Sequence, residues 1–244
     1  MRNIKLTLAY LGTRYCGFQV QKNGVSVCEV LQNAMEQVLG ARGDVKGCSR
    51  TDAGVHANGY CLNFKTETQM TLRTMKKGLN AVLPNDISVL NAEEAAESFH
   101  ARYDCRRKRY IYKIWNSEAR NPFLQGMAYH YFRPIDVEKV QEMAKLLVGT
   151  HDFAGFCGGK NTKEETTRTI FVFDIRQSGA LTELVVEGDG FLYNMVRILA
   201  GAVFAVCEGR LSIEEIPKIF EDKQRRVQCR TMPANALYLD EVIY

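Results

Sequence analysis

The stretch "CSRTDAGVHAN", Cys48–Asn58, breaks the alternating apolar pattern of the first third of the chain. It follows a short predicted strand and precedes a second one, in which Tyr60, Leu62 and Phe64 occupy alternate positions. No amphipathic period runs through the stretch, so we predict a loop between two strands. The loop holds a single carboxylate, Asp52, with no second acid beside it, and the sequence must explain what that carboxylate does.

The elements on either side of this loop repeat one order. The first half predicts a strand at 4–10, a helix at 27–39 capped by Ser26, strands at 45–48 and 60–64, a helix that begins at Thr71 and a strand at 87–90. The second half predicts a strand at 110–114, a hairpin strand at 127–132, a helix at 137–147 capped by Asp136, strands at 169–175 and 181–187, a helix at 191–207, a shorter helix capped by Ser212 and a strand at 237–243. Apart from one extra strand and one extra helix, both halves read β-α-β-β-α-β.

Two such split βαβ units in tandem predict an α+β fold made of two ferredoxin-like halves. We place the halves at residues 1–103 and 104–244, with the junction near 100–106. Their sheets are expected to join into one extended, mainly antiparallel sheet. Helices would cover one face, and an RNA-binding cleft would lie on the other.

Composition excludes several classes of protein. The chain has 244 residues, 46% of them hydrophobic and 25% charged, which is typical of a globular protein. No apolar run approaches the roughly 18 residues of a membrane helix, and the N-terminus has no signal-peptide block. We therefore expect a cytoplasmic protein that does not bind a membrane. The eight cysteines show no CxxC spacing and the four histidines are scattered, which argues against a metal site and favours reduced thiols.

Basic and aromatic residues point to an acidic partner. The net charge is only +4, but Arg106–Arg109 is an uninterrupted basic block, and Lys76 is followed by a second lysine. The block leads into a strand with Tyr110 and Tyr112 on one face. Proteins that bind single-stranded RNA use this combination, because aromatic rings stack on bases while cations hold phosphates. The alternative is solvated loops and an edge strand whose tyrosines pack under a helix.

Three polar residues are candidates for chemistry. Asp52 is either a turn former or a catalytic carboxylate. His56 is its acid–base partner, a metal ligand together with another residue, or a side chain that bonds backbone and orders the loop. The lack of a carboxylate cluster and of a Ser or Cys nucleophile pattern favours the last. Arg197 is the only charged residue between Phe191 and Cys207, so it either pairs with an acid, for which Asp52 is a candidate, or faces solvent.

Five stretches together resemble the TruA-type tRNA pseudouridine synthases, over nearly the whole chain. In sequence order they are "AYLGTRYCGFQ" at Ala9–Gln19, "RTDAGVHA" at Arg50–Ala57, "SFHAR" at Ser98–Arg102, "RYIY" at Arg109–Tyr112 and "FLYNMVRILAG" at Phe191–Gly201. The chain departs from the family pattern at Ser49, where glycine is common, and at Phe18, where tryptophan is frequent.

The resemblance implies that Asp52 is the essential catalytic residue of an enzyme that isomerises uridine to pseudouridine. The reaction adds and removes no group, so no cofactor and no metal are expected. Tyr110 aligns with the active-site tyrosine of the family and would stack on uracil. Arg50 would fill the space of the extruded nucleotide or hold its phosphate, and Arg197 would complete the substrate-binding set. Whether Asp52 attacks C1′ or C6 stays open.

The resemblance also implies a homodimer that binds tRNA and modifies uridines 38–40 of the anticodon arm. The two departures leave open a paralogue with another target in tRNA or ribosomal RNA. A non-catalytic RNA-binding protein is the alternative from the residues alone, although an isolated Asp52 in an RNA groove would weaken a pure binder. The loop Gly155–Arg168 is either a plain surface loop or a substrate-gripping one.

Overall fold

The computed structural model describes residues 1–159 and 165–244. They divide into two compact units, Met1–Arg106 with Tyr238–Tyr244, and Arg107–Leu237. In chain order the strands and α-helices are β1 (Arg2–Tyr10), α1 (Val27–Leu39), β2 (Lys46–Gly47), β3 (His56–Thr66), α2 (Leu72–Val82), β4 (Ile87–Ala95), β5 (Arg107–Asn116), β6 (Tyr129–Tyr131), α3 (Val137–Leu147), β7 (Gly149–Asp152), β8 (Thr167–Ser178), β9 (Leu181–Gly188), α4 (Met195–Cys207), α5 (Glu215–Asp222) and β10 (Leu237–Ile243). The predicted α+β class with mainly antiparallel pairing is confirmed.

The sheet of the first unit has the strand order β4-β1-β3-β10, with β2 beside β3. All pairs are antiparallel except β3–β10, which is parallel and aligns Tyr238 with His56 and Leu239 with Ala57. The sequence division assigned all of 104–244 to the second half. Residues 238–244 instead pack with the first unit, because their strand pairs with the strand that follows the Asp52 loop.

Local sequence signals account for the helices of the first unit. Helix α1 begins after Ser26, whose hydroxyl accepts a hydrogen bond of 3.2 Å from the Glu29 amide, and it ends at Gly40 with φ 78°. Helix α2 begins after Thr71, whose hydroxyl accepts one from the Thr74 amide. Both predicted starts are confirmed. The apolar faces of these helices and the alternate residues of β1 and β3 form the core of this unit.

The other face of this sheet is closed by the "SFHAR" segment. Asn63 donates 2.9 Å to the Asn3 side chain and accepts 2.8 Å from the Ala101 amide, and both asparagines donate to the Phe99 carbonyl. Asn3 and Asn63 are almost fully buried. Buried amides need partners, so this network holds the segment against the sheet.

The sheet of the second unit has the order β6-β5-β9-β8-β7. Strands β5, β9, β8 and β7 pair antiparallel, whereas β6 pairs parallel to β5, with Ile114 opposite Tyr129. The predicted hairpin at 127–132 was therefore wrong. A hairpin needs a tight reversal, but residues 117–128, with a 3-10 turn at Pro122–Leu124, carry the chain back so that β6 runs in the direction of β5.

Helix α4 begins later than the sequence predicted. It starts at Met195, not at residue 191, because Asn194 adopts the left-handed conformation with φ 59°. Asparagine tolerates that conformation better than most residues. The preceding Tyr193 carbonyl accepts 2.8 Å from the Gly158 amide. Nowhere in residues 1–159 and 165–244 does a helix have the length and apolar character needed to cross a bilayer.

A glycine in α4 allows a close backbone crossing, and its replacement provides a test. A Cβ on Gly201 would lie 1.9 Å from the Arg230 carbonyl oxygen. Helix propensity alone would favour Gly201→Ala by about 1 kcal/mol. We expect the clash to prevail and lower the free energy of unfolding by at least about 2 kcal/mol in urea titrations. Gly159→Ala, with its nearest atom at 3.8 Å, is the control. A Gly201→Ala protein as stable as wild type would contradict this packing.

The eight cysteines, all within the described residues, form no disulfide. Burial raises the pKa of Cys28 and of Cys229 to about 11, from 9.0. Because only the thiolate reacts, about one molecule in a thousand is reactive at these positions at pH 8. We expect iodoacetamide at pH 8 to modify the half-exposed Cys16 of the native protein but neither of the buried pair, as read by peptide mass spectrometry. Urea should abolish the difference, and rapid native labelling of Cys229 would contradict it.

Candidate active site

The Asp52 loop is a tight turn in front of β3. The Val55 amide donates to the Asp52 carbonyl at 3.2 Å, and Gly54 has φ 82°. Ala53 is exposed at the tip, and Asp52 itself is half-buried. The turn therefore presents the carboxylate at the edge of the protein surface, with glycine at the position that needs a positive φ.

The segment after β1 is pressed against this loop. The Gly54 amide donates to the Tyr15 carbonyl at 3.2 Å. A Cβ on Gly12 would lie 1.9 Å from the Val55 oxygen, and one on Gly17, which has φ 100°, would lie 2.3 Å from the Thr51 oxygen. We call the contact of residues 12–17 with residues 51–55 the glycine clasp. Only glycine fits at its two points of closest approach.

His56, the residue directly after the clasp, binds to it. Its Nδ1 accepts 2.8 Å from the Gly12 amide, its side chain is fully buried, and its ring lies 4.7 Å from that of Tyr238. This confirms the interpretation that His56 bonds a backbone group. The described residues contain no group of three or more His, Cys, Asp or Glu side chains suited to a metal ion.

Two tyrosines form hydrogen bonds to the start of the loop, a role that the sequence did not indicate for either. Tyr60 donates to the Ser49 carbonyl, and Tyr10 shares a hydrogen bond of 3.0 Å with the Thr51 hydroxyl. The Tyr60 ring stacks on Phe18 at 4.0 Å, at the position where the family often has tryptophan. Residues on both sides of Arg50 are thereby fixed, while Arg50 itself is exposed. The alternation that predicted Tyr60 to be a core residue gave no sign of its hydroxyl contact.

In the second unit, Tyr110 lies on β5 opposite Val186 and is only 6% exposed. Its ring meets Phe191 edge to face, with centroids 5.1 Å apart. Phe191 comes from the segment that was predicted to be helical. That residue lies outside the helix, which begins at Met195, and its aromatic side chain packs on the candidate tyrosine and orients the ring.

Arg197 is half-buried in the first turn of α4. Its Nε donates 2.6 Å to the Met232 carbonyl, and one terminal nitrogen donates 2.7 Å to the Asn194 side chain. The left-handed Asn194 thus orients the guanidinium, a role that the sequence did not indicate. The acidic partner expected for Arg197 stays a prediction.

The basic block is partly neutralised by a buried acid that the sequence did not single out. Glu187, whose side chain is 6% exposed, pairs with Arg107 at 3.2 Å and with Arg109 at 2.9 Å. Lys76, also expected to grip RNA, donates to the Leu90 carbonyl. The phosphate contacts expected of the basic residues stay a prediction.

The loop Gly155–Arg168 lies partly outside the described residues. Thr166 donates 2.6 Å to Asp152, which also pairs with Lys223 at 2.8 Å, and these contacts lower the pKa of Asp152 despite its partial burial. The hydrogen bond from Thr166 therefore attaches the C-terminal part of the loop to Asp152, the last residue of β7. The proposed gripping role stays a prediction.

Comparisons with known proteins give one family. A family model described as tRNA pseudouridine synthase matches residues 7–104 and 143–244. The chain is 40% identical over 244 residues to "tRNA pseudouridine synthase A 2" of Bacillus cereus, covering 99% of each chain. It is also 40% identical over 244 residues to "tRNA pseudouridine synthase A" of Thermoanaerobacter sp., covering all of both chains. The protein with the same name from Acetivibrio thermocellus is 39% identical, again over the full length of both.

The Tyr60 hydroxyl is expected to stabilise the loop measurably. Tyr60→Phe keeps the ring on Phe18 but removes a part-buried hydrogen bond to the Ser49 carbonyl, and a typical hydrogen bond of this kind contributes about 0.5–1.5 kcal/mol. We expect that loss in the free energy of unfolding measured with urea. Tyr193→Phe is the matched control, because Tyr193 is 62% exposed. Equal stabilities of the two variants would show that the contact does not hold the loop.

Proposed function

We propose that this chain, which belongs to the family of tRNA pseudouridine synthases, isomerises uridine to pseudouridine in tRNA with Asp52 as its catalytic carboxylate. The observation that carries the proposal is the family match over 7–104 and 143–244. It includes the signature loop with Arg50 and Asp52, and it includes Arg197, whereas Tyr110 lies between the two matched segments. The relatives named above carry the same activity in their names, over the full length of the chain.

The reaction needs one nucleophile. The bond from C1′ of ribose to N1 of uracil breaks, the base turns, and C5 forms the new bond to C1′ and gives up its proton, while N1 gains one. A carboxylate can assist by displacing N1 at C1′ or by adding to C6, and in either route it is released unchanged. No redox step and no added group is involved, which agrees with a lone carboxylate in the loop.

The glycine clasp supports this role for Asp52. A nucleophile gains most when its geometry is set before the substrate binds, because the entropy of alignment is then already lost. Hydrogen bonds at Ser49, Thr51 and Gly54 fix the backbone on both sides of Asp52. The loop is therefore suited to hold a carboxylate in one direction.

Three further residues are proposed to bind substrate. Tyr110 stacks on the extruded uracil, with its ring held by Phe191. Arg197 binds substrate with a guanidinium oriented by Asn194. The exposed Arg50 fills the space that the uridine leaves or holds its phosphate, which offsets part of the few kcal/mol that extrusion costs.

The finer properties of the enzyme are proposals from the family resemblance. We propose uridines 38–40 of the anticodon arm as the targets, a homodimer as the active form and the cytoplasm as the location. The chain departs from the family pattern at Ser49 and Phe18, next to the proposed catalytic residue. These two departures are the ones that would accompany a different target site, in tRNA or in ribosomal RNA.

The direct test of this function is conversion of unmodified tRNA transcripts without added metal or cofactor. Wild type should convert uridine, and Asp52→Asn should bind tRNA but lose at least about 10⁴-fold in rate, as expected for removal of a nucleophile. The product is measured by mapping pseudouridine along the RNA. Asp44→Asn, at an exposed carboxylate paired with Lys46, is the matched control.

The outcomes separate the candidate functions. An Asp52→Asn enzyme within tenfold of wild type would remove Asp52 from the mechanism while leaving the activity. A wild type that binds tRNA but converts no uridine in tRNA or ribosomal RNA would instead favour the non-catalytic RNA-binding protein.

A further inference from the structure

Strand β8 contains a bulge where it pairs with β9. Ile170 pairs with Gly188 and Val172 pairs with Glu187, so Phe171 is an extra residue without its own partner on β9. Phe171 and Val172 are 38% and 36% exposed. Bulges commonly redirect a side chain next to a functional site, and here a large aromatic ring is left at the surface.

The redirected ring meets an arginine. The Arg107 guanidinium carbon lies 4.2 Å from the centre of the Phe171 ring. The same guanidinium is held by the buried Glu187, which also binds Arg109. A ring on one side and a carboxylate at the edge fix its orientation, yet 47% of the Arg107 side chain is exposed.

The charge of this arginine is partly compensated, because one carboxylate serves two guanidinium groups. Because Glu187 is shared by Arg107 and Arg109, a phosphate would compete with a buried carboxylate for them. Arg106 and Lys108 are better placed to contact phosphate. What Arg107 offers without breaking its ion pair is its outer surface, and guanidinium groups and aromatic rings stack on unpaired nucleobases.

We propose that Arg107 and Phe171 form a stacking platform for an unpaired nucleobase of the bound RNA. The base is not the target uridine, because alternation along β5 sends Arg107 and Tyr110 to opposite faces of the sheet. The platform rests on the proposed function for the identity of its ligand as RNA. It adds a second base-binding position that helps to select RNAs with an unstacked nucleotide beyond the target.

The test uses two variants that keep charge and bulk. Arg107→Lys retains the positive charge but loses the planar group, and Phe171→Leu retains an apolar side chain but loses the ring. Each is expected to weaken binding of an unmodified tRNA transcript about tenfold, as loss of one stacked base does. The slope of log Kd against log salt should not change, because no phosphate contact is lost.

A similar pair elsewhere provides the control. Arg133 lies 5.6 Å from the Phe132 ring, and Phe132 is 63% exposed. Arg133→Lys and Phe132→Leu should leave the Kd within twofold of wild type. Thermal melting of all four variants shows whether any has lost its fold.

Transcripts with single abasic nucleotides then identify the stacked base. An abasic nucleotide at one position other than the target should weaken binding by wild type about tenfold, as the two substitutions do. The same abasic transcript should bind the Arg107→Lys and Phe171→Leu variants no more weakly than the intact transcript does. Unchanged affinity in both folded variants, or equal losses in the controls, would overturn the platform. Platform-dependent binding in a protein that converts no uridine would reject the proposed isomerase activity and leave the platform standing.

Discussion

The glycine clasp is the constraint on which the candidate active site depends. Backbone of residues 12–17 approaches backbone of residues 51–55 so closely that a single added carbon at Gly12 would lie 1.9 Å from an oxygen. Contacts between main-chain atoms cannot be relieved by a change of rotamer. The turn that carries Asp52 is therefore defined by β1, β3 and the segment between β1 and α1, and not by its own short sequence.

The second unit orients its candidate residues differently, through single polar or aromatic neighbours. Phe191 sets the ring of Tyr110, Asn194 sets the guanidinium of Arg197, and Glu187 sets two arginines of the basic block. Each neighbour follows from a local feature: a non-helical segment before α4, one left-handed residue, and a buried acid at the end of β9. Side chains that we propose to bind substrate are thus positioned before it arrives, which would lower the entropy lost on binding.

The sequence predicted what local rules control. Ser26 and Thr71 marked helix starts through their side-chain caps, and alternation located β1 and β3. Prediction from the sequence failed where the structure depends on pairing between distant segments or on an unusual backbone conformation. The parallel partner of β5 and the pairing of β10 with β3 depend on long-range register. Asp52 was found because its motif resembles a family, whereas the contacts of Tyr60 and Glu187 are properties of three-dimensional packing that no spacing reveals.

Hydrogen exchange of the free protein tests the central claim, that the Asp52 loop is rigid before RNA binds. The informative amides are those of Gly12, Gly54 and Val55, which bond His56, Tyr15 and Asp52. The account predicts protection of these amides close to that of Leu62 in the middle of β3. Exchange at the rate of an unstructured chain, with β3 still protected, would contradict it, because the carboxylate would then be ordered only by its substrate.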